Sequence, residues 1–195
     1  MQLRRATVPD LDPAARVLAA AFHDYPWTRH VIPQDEYPER LRELQLLYLR
    51  HAHRHGIVVL EASGGVAALL PPGTPDPDEE VLARIVALHG NRIDRLLSGA
   101  DAPATTAPSA WTLETLGVRP EAQGRGIGSA LLDHALEEAA RAGAREIALE
   151  TSDARNVRFY ERHGFTVLDE TIPPTAPPVW RMLRSGCPAY PAPDS

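Results

Sequence analysis

Apolar residues recur at helical spacing through the first part of the chain. Ala14, Val17, Leu18, Ala21 and Phe22 form one stripe, the repeat expected of an amphipathic helix. Asp12-Pro13-Ala14 predicts its start, because Asp accepts from free amides at a helix N-terminus and Pro already has first-turn geometry. Asp24-Tyr25-Pro26-Trp27 predicts its end, since the residue before Pro avoids helical angles. A second helix is expected from Pro38 to His55, with Leu41, Leu44, Leu47 and Tyr48 inward. Ile57 to Ala62 and Val66 to Leu70 are short apolar runs around Ser63-Gly64-Gly65, the pattern of a hairpin. Pro71 to Pro77 breaks the chain, and a helical pattern resumes over Val81 to Leu97. Residues 98–110, rich in Ala, Pro, Ser and Thr, read as a mobile surface connection.

The pattern then changes. Trp111 to Val118 predicts a strand, and Gly124 to Ala142 a glycine loop entering a helix that stops at Gly143, a natural C-terminal cap. Ile147 to Thr151 predicts another strand, Asn156 the cap of a short helix ending at Gly164, and Phe165 to Leu168 a third strand. After the prolines at 173–174 and 177–178, Val179 to Leu183 can pair once more. The reading is one mixed α/β domain over residues 1–184, with a frayed Pro-rich tail at 185–195.

Composition narrows the function classes. A chain of 195 residues with 44% hydrophobic and 24% charged residues suits an ordinary globular domain. Its formal net charge of −6 argues against a nucleic-acid partner, because no basic stripe is present to neutralise phosphates. The lone Cys187 cannot form an internal disulfide. The apolar stretch Val17 to Phe22 is far too short to span a bilayer, so no membrane partner is expected and the location is read as cytoplasmic.

The stretch from Leu113 to Ser129 carries the chemistry. Glycines at 124, 126 and 128 precede an apolar-periodic helix. Such a loop leaves backbone amides unpaired at the positive end of a helix dipole, and glycine removes the Cβ atoms that would hold an anion off. A pyrophosphate suits that geometry. A dinucleotide-binding loop is the rival, because Gly124, Gly126 and Ser129 nearly satisfy G-x-G-x-x-G and Glu150 ends the next strand. Too little chain follows for the further βα units that fold requires. The strand before the loop also places Thr112 and Glu114 on one face, whereas a buried parallel strand is apolar throughout.

The run L-G-V-R-P-E-A-Q-G-R-G-I-G-S-A-L resembles the acetyl-coenzyme A motif of the GNAT N-acetyltransferase superfamily, whose core is [QR]-x-x-G-x-[GA]. The later run N-V-R-F-Y-E-R-H-G-F resembles its second motif. The likeness extends towards the puromycin N-acetyltransferases through L-A-A-A-F-H-D-Y-P-W-T-R-H, E-R-L-R-E-L-Q and L-E-T-S-D-A-R-N-V-R-F-Y-E-R-H-G-F-T-V. It is weakest over Leu69 to Ala110.

The resemblance implies a GNAT fold, with a mixed, mostly antiparallel sheet whose central strands splay and whose faces carry helices. It implies acetyl-CoA as co-substrate. The strand at Leu116, Gly117 and Val118 would part from Ala148-Leu149-Glu150 and hold the pantetheine arm, with a bulge expected at Gly117. Gln123, Gly124, Arg125, Gly126, Ile127, Gly128 and Ser129 would hold the pyrophosphate, and Asn156 would reach the pantetheine arm. Tyr160 would protonate the departing thiolate, or else only pack beside Phe159 and Phe165. Glu150 is the favoured base, needed because an alkyl amine is mostly protonated at neutral pH. Tyr25 and Trp27 would line the acceptor site, or else only pack in the core. Glu114 faces the same cleft by strand alternation and is the second candidate base, although the resemblance places no acid there; either acid could equally be a surface carboxylate. His51, His53 and His55 look like a zinc set, yet one ring lies off the shared face and no acid or thiol is near, so a solvated helix end is the reading and no metal is expected.

The expected activity is transfer of acetyl to a primary amine of a small molecule, an antibiotic such as puromycin among them. A protein or peptide acetyltransferase and a non-catalytic acyl-CoA sensor remain as alternatives, and a homodimer is left open.

Overall fold

The computed structural model describes residues 1–100 and 107–186. Seven strands form its sheet: Leu3–Arg5 (β1), Ile57–Glu61 (β2), Gly65–Leu70 (β3), Trp111–Val118 (β4), Glu146–Thr151 (β5), Thr166–Thr171 (β6) and Val179–Ser185 (β7). Their order is β1-β2-β3-β4-β5-β7-β6. β4 and β5 run parallel and the other neighbours antiparallel. The sheet is thus mixed and mostly antiparallel, as expected.

The hairpin strands read as unbroken apolar runs because both their faces are covered. Val58, Val66 and Ala68 pack with Leu11–Ala21 (α1) and Tyr37–His55 (α3). Val59, Ala67 and Leu69 pack on the other side with Ile127–Arg141 (α6). A third cluster joins Pro26–Val31 (α2), α3 and Glu79–His89 (α4) through Val31, Ile32, Leu41, Leu44, Ile85 and Leu88. That cluster stands beside the sheet and forms one wall of the site.

Several expectations are corrected. α1 stops at Ala21, and Pro26 opens α2, because Pro fits the first turn of a helix as readily as it follows the end of one. The helical pattern over Val81 to Leu97 is two helices, α4 and Ile93–Ala100 (α5), broken where Gly90 takes a φ of 49°. Residues 98–100 therefore belong to α5, and 101–106 of the expected connection lie outside the described residues. Ala154–Arg162 (α7) is capped by Asp153, whose side chain accepts from the Arg155 amide at 2.8 Å, not by Asn156. Asn156 sits inside the first turn, where its side chain points elsewhere. β7 runs on to Ser185, within the expected tail, of which 187–195 lie outside the described residues.

Candidate active site

β4 and β5 pair only through Trp111 with Ile147 and Thr112 with Ala148. Past that point they part. The cause is a register shift on the other edge of β4: Leu69 faces Leu113 and Ala68 faces Thr115, which leaves Glu114 as the extra residue of a bulge. A bulge bends and twists its strand, and here it turns β4 away from β5. The bulge expected at Gly117 therefore lies at Glu114. Gly117 has another reason: an added Cβ would stand 2.8 Å from Leu18 Cδ2 and 3.1 Å from Ala21 Cβ, so glycine lets α1 lie directly on β4. Ala148, expected in the open gap, is the last paired residue, opposite Thr112; Leu116, Gly117 and Val118 lie beyond it without a β5 partner. Backbone polar groups along such edges need partners, and an extended amide-bearing chain supplies them by strand addition.

The glycine loop stands at the end of β4. Gln123 Nε2 donates to the Val118 carbonyl at 3.0 Å, which ties the loop to the strand. Gly124 and Gly126 have φ of 74° and 77°, and nothing lies within 4 Å of the place a Cβ would take at either. Ala130 donates to the Gly126 carbonyl at 3.1 Å, so the amides of Ile127, Gly128 and Ser129 precede the first helical bond of α6. The Ile127 side chain is buried in the core and only its main chain faces the loop. Arg125 is exposed. His163 bridges this helix to α7, with Nδ1 3.0 Å from Asp133 Oδ1 and Nε2 3.2 Å from Ser129 Oγ. An open cradle of unpaired amides at a helix N-terminus fits a diphosphate.

α7 lies across the gap. Tyr160 is buried, with its ring 5.1 Å from that of Phe159 and 5.6 Å from that of Phe165. Its hydroxyl has no hydrogen-bond partner among the described residues, and burial raises its pKa well above the ordinary phenol value, with Tyr25 adding to the shift. Tyr25 meets the end of β5: its hydroxyl is 3.0 Å from Thr151 Oγ1 and accepts from the Ser152 amide. Asn156 Nδ2 donates to the same Thr151 oxygen at 3.1 Å. Thus Tyr25, Thr151, Asn156 and Tyr160 gather where the parted strand ends.

On the other side of the gap is a cleft of about 660 Å³ bounded by α2, α3, α4, α5 and the parted strands, with Tyr25, Trp27, Tyr48, Glu114 and Glu150 in its wall. Glu150 Oε1 accepts from Arg181 Nε at 2.9 Å, and Arg181 also donates to Asp169 at 2.7 Å. Glu114 has no such cation among the described residues. It opens on the cleft, and the surrounding walls together with the Glu150 charge raise its pKa above the usual carboxylate range. The same enclosure, with Glu114 beside it, pushes the Tyr48 phenol up to about 12. A carboxylate whose pKa is raised holds a proton more tightly than a free one, which suits a base.

Sequence reasoning placed Tyr48 in the core, and it missed Thr151, Ser152, Arg181 and His163 as parts of the site. The signal for Tyr48 was a polar tip on an otherwise apolar stripe; the others depend on strands and helices meeting across the fold. The His51 and His55 rings are 4.8 Å apart. Among the described residues no three His, Cys, Asp or Glu side chains come together to hold a cation, and no helix is long and apolar enough to cross a membrane.

Residues 19–165 match the acetyltransferase (GNAT) family. Among solved structures, a histone acetyltransferase HPA2 and related acetyltransferase from Corynebacterium glutamicum superposes with a TM-score of 0.74 at 28% identity, over 95% of this chain and 96% of that one. The yncA protein of Salmonella typhimurium, solved with its cofactor acetyl-CoA, shares the fold with a TM-score of 0.55 at 19% identity, over 100% of this chain and 98% of that one. The tRNA(Met) cytidine acetyltransferase TmcA of Aeropyrum pernix is 32% identical over 120 residues, or 62% of this chain. The chain spans only 16% of the length of that curated relative.

Proposed function

We propose that this chain, which belongs to the acetyltransferase (GNAT) family, moves an acetyl group from acetyl-coenzyme A to a primary amine of a small molecule. The observation that carries this reading is the gap where three things meet: unpaired edges of β4 and β5, an amide cradle at Gly124 to Ser129, and the Tyr160 hydroxyl, unpartnered among the described residues. The co-substrate supplies a thioester. The loop amides hold its diphosphate, and the open edge of β4 at Leu116 to Val118 aligns its pantetheine amides. A main-chain amide of that edge is available to the thioester oxygen as negative charge develops there.

The amine lies in the cleft. Glu150, held by Arg181, and Glu114 favour the ammonium on arrival. Glu114 then takes the proton whose loss frees the nitrogen lone pair for attack, and the second proton, shed by the acylated nitrogen, returns to the Tyr160 oxygen once that has protonated the sulfur. A C–N bond forms and the C–S bond breaks. Tyr160, kept protonated by its burial, gives its proton to the sulfur that departs. Asn156 and Tyr25 fix the end of β5 through Thr151. Trp27 and Tyr25 provide the flat apolar wall for the body of the acceptor.

A small acceptor is favoured over a peptide because helices wall the cleft on one side and the parted strands on the other. Arg92 donates to the carbonyls of Arg29 and Ile32, and Arg95 to that of His30, which fastens the α4–α5 segment over α2. An aminonucleoside antibiotic of the puromycin type, an amine with an aromatic body, suits both the cleft and the sequence likeness. The test is release of free thiol from acetyl-CoA with puromycin and with other amines. Tight binding of CoA without release from any amine would favour an acyl-CoA sensor instead.

A further inference from the structure

The helical wall of the cleft carries polar groups that the transfer chemistry does not use. Gln45 projects from α3 and His89 stands at the end of α4, and both line the cleft. They are more than nine-tenths buried, at 9% and 2% exposure. His89 Nδ1 lies 2.8 Å from the Ile85 carbonyl. A carbonyl can only accept, so Nδ1 carries the hydrogen and Nε2 of the neutral ring is a bare acceptor. That Nε2 has no hydrogen-bond partner among the described residues, and neither does the Gln45 amide. Fully buried side-chain polar atoms without a partner are absent among the described residues. An unpartnered atom in either side chain must therefore touch open space, and the space these residues border is the cleft.

A polar group so enclosed costs stability unless a ligand completes it. Leu41 and Leu44 lie within about one turn of Gln45 on the same helix and line the same space, so the two polar groups sit in an apolar surround. Among the described residues, no guanidinium lines this cleft.

We propose that Gln45 and His89 form a second recognition point, and that the amine acetylated here has an apolar body bearing an uncharged hydroxyl or amide donor. That donor gives its hydrogen to His89 Nε2, and Gln45, able to donate and to accept, binds the remaining lone pair or hydrogen. A carboxylate at that position is rejected, because it meets a lone pair on His89 and no cation. This inference rests on the transferase reading above and adds the class of acceptor to it.

The test uses the full chain with acetyl-CoA and phenylalkylamines of one to four methylene groups. Each length is offered unsubstituted, para-hydroxylated and para-carboxylated, and thiol release gives kcat/KM. At one spacer length or more the hydroxylated amine is favoured over the unsubstituted one by at least about tenfold, and the carboxylated amine is the poorest, as expected where a site is built to bind a donor. His89→Leu and Gln45→Leu each reduce the hydroxyl preference to below about threefold, with CoA affinity measured alongside as the check on folding. A readout independent of any variant is ¹⁵N NMR of the His89 ring, whose Nε2 signal shifts when the hydroxylated amine is added to the CoA-bound protein. Equal rates for the three members at every length, or preference for the carboxylate, would overturn the recognition point alone. No release from any member would sink the transferase reading beneath it.

Discussion

Arg181 Nε donates to Glu150 Oε1 at 2.9 Å, and this one bond separates the two acids of the cleft. Arg181 is buried and shared with Asp169, so Glu150 belongs to a structural ion network. Glu114 stands across from it without a cation among the described residues. Two carboxylates of one cleft thus have different environments, the usual way in which acid and base roles become distinct.

The first prediction concerns that pair. Glu114→Gln lowers kcat/KM by about a hundredfold, in the range expected for loss of a general base. Glu150→Gln lowers it far less and instead weakens the fold, because Arg181 loses a partner. A net cost of about 1–3 kcal/mol follows from a lost charged hydrogen bond, read as a fall in Tm of several degrees. Steady-state kinetics and thermal melts of both variants check it. The reverse ranking would return the base to Glu150.

The pH dependence follows from the raised Glu114 pKa. The acid limb of kcat/KM lies above the ordinary Glu value of about 4.3, since Glu114 accepts a proton only once ionised. Glu114→Gln removes that limb. Stability has the opposite sign: the folded state holds this proton more tightly than the unfolded chain, so ionisation costs stability as pH rises through the raised value. The variant therefore gains Tm relative to the parent as pH rises from about 5 to 8, measurable by parallel melts.

Tyr160 has a hydroxyl without a partner among the described residues, in a ring-packed site. Tyr160→Phe keeps the ring and removes only the hydroxyl proposed as the acid. Turnover falls by at least about tenfold, while the KM for acetyl-CoA and the Tm stay near the parent values. A variant that unfolds or loses the cofactor would reassign the residue to packing.

Two glycines separate binding from folding. Gly126→Ala forces a left-handed residue with a side chain into the open cradle, and strain there costs about 1–2 kcal/mol. CoA affinity by calorimetry drops more than Tm does. Gly117→Ala drives a methyl against Leu18 and Ala21, so overpacking costs about 1–3 kcal/mol and Tm falls first.

The position of the glycine loop at a helix N-terminus and of Tyr160 on the short helix after β5 was legible because these signals are local: alternating glycines ahead of an apolar helix, and an aromatic within a short contiguous motif. The strands and main helices followed from apolar period. Glu114 as the bulged residue was not legible, since a register shift is decided by how β3 and β4 meet over their whole length. The division of Val81 to Leu97 into two helices turned on a single glycine angle. Gln45 and His89 come from different helices and acquire a shared role only when α3 and α4 are packed.

β7 enters between β5 and β6. Through all six residues of β5 it provides the antiparallel partner, whereas β4 grips that strand at two positions only. During synthesis, then, the segment bearing Glu150 and Thr151 leaves the ribosome well before the strand that anchors it. Until residues 179–185 emerge, both edges of β5 are largely bare, and catalytic competence arrives as a late, abrupt step in the maturation of the nascent chain.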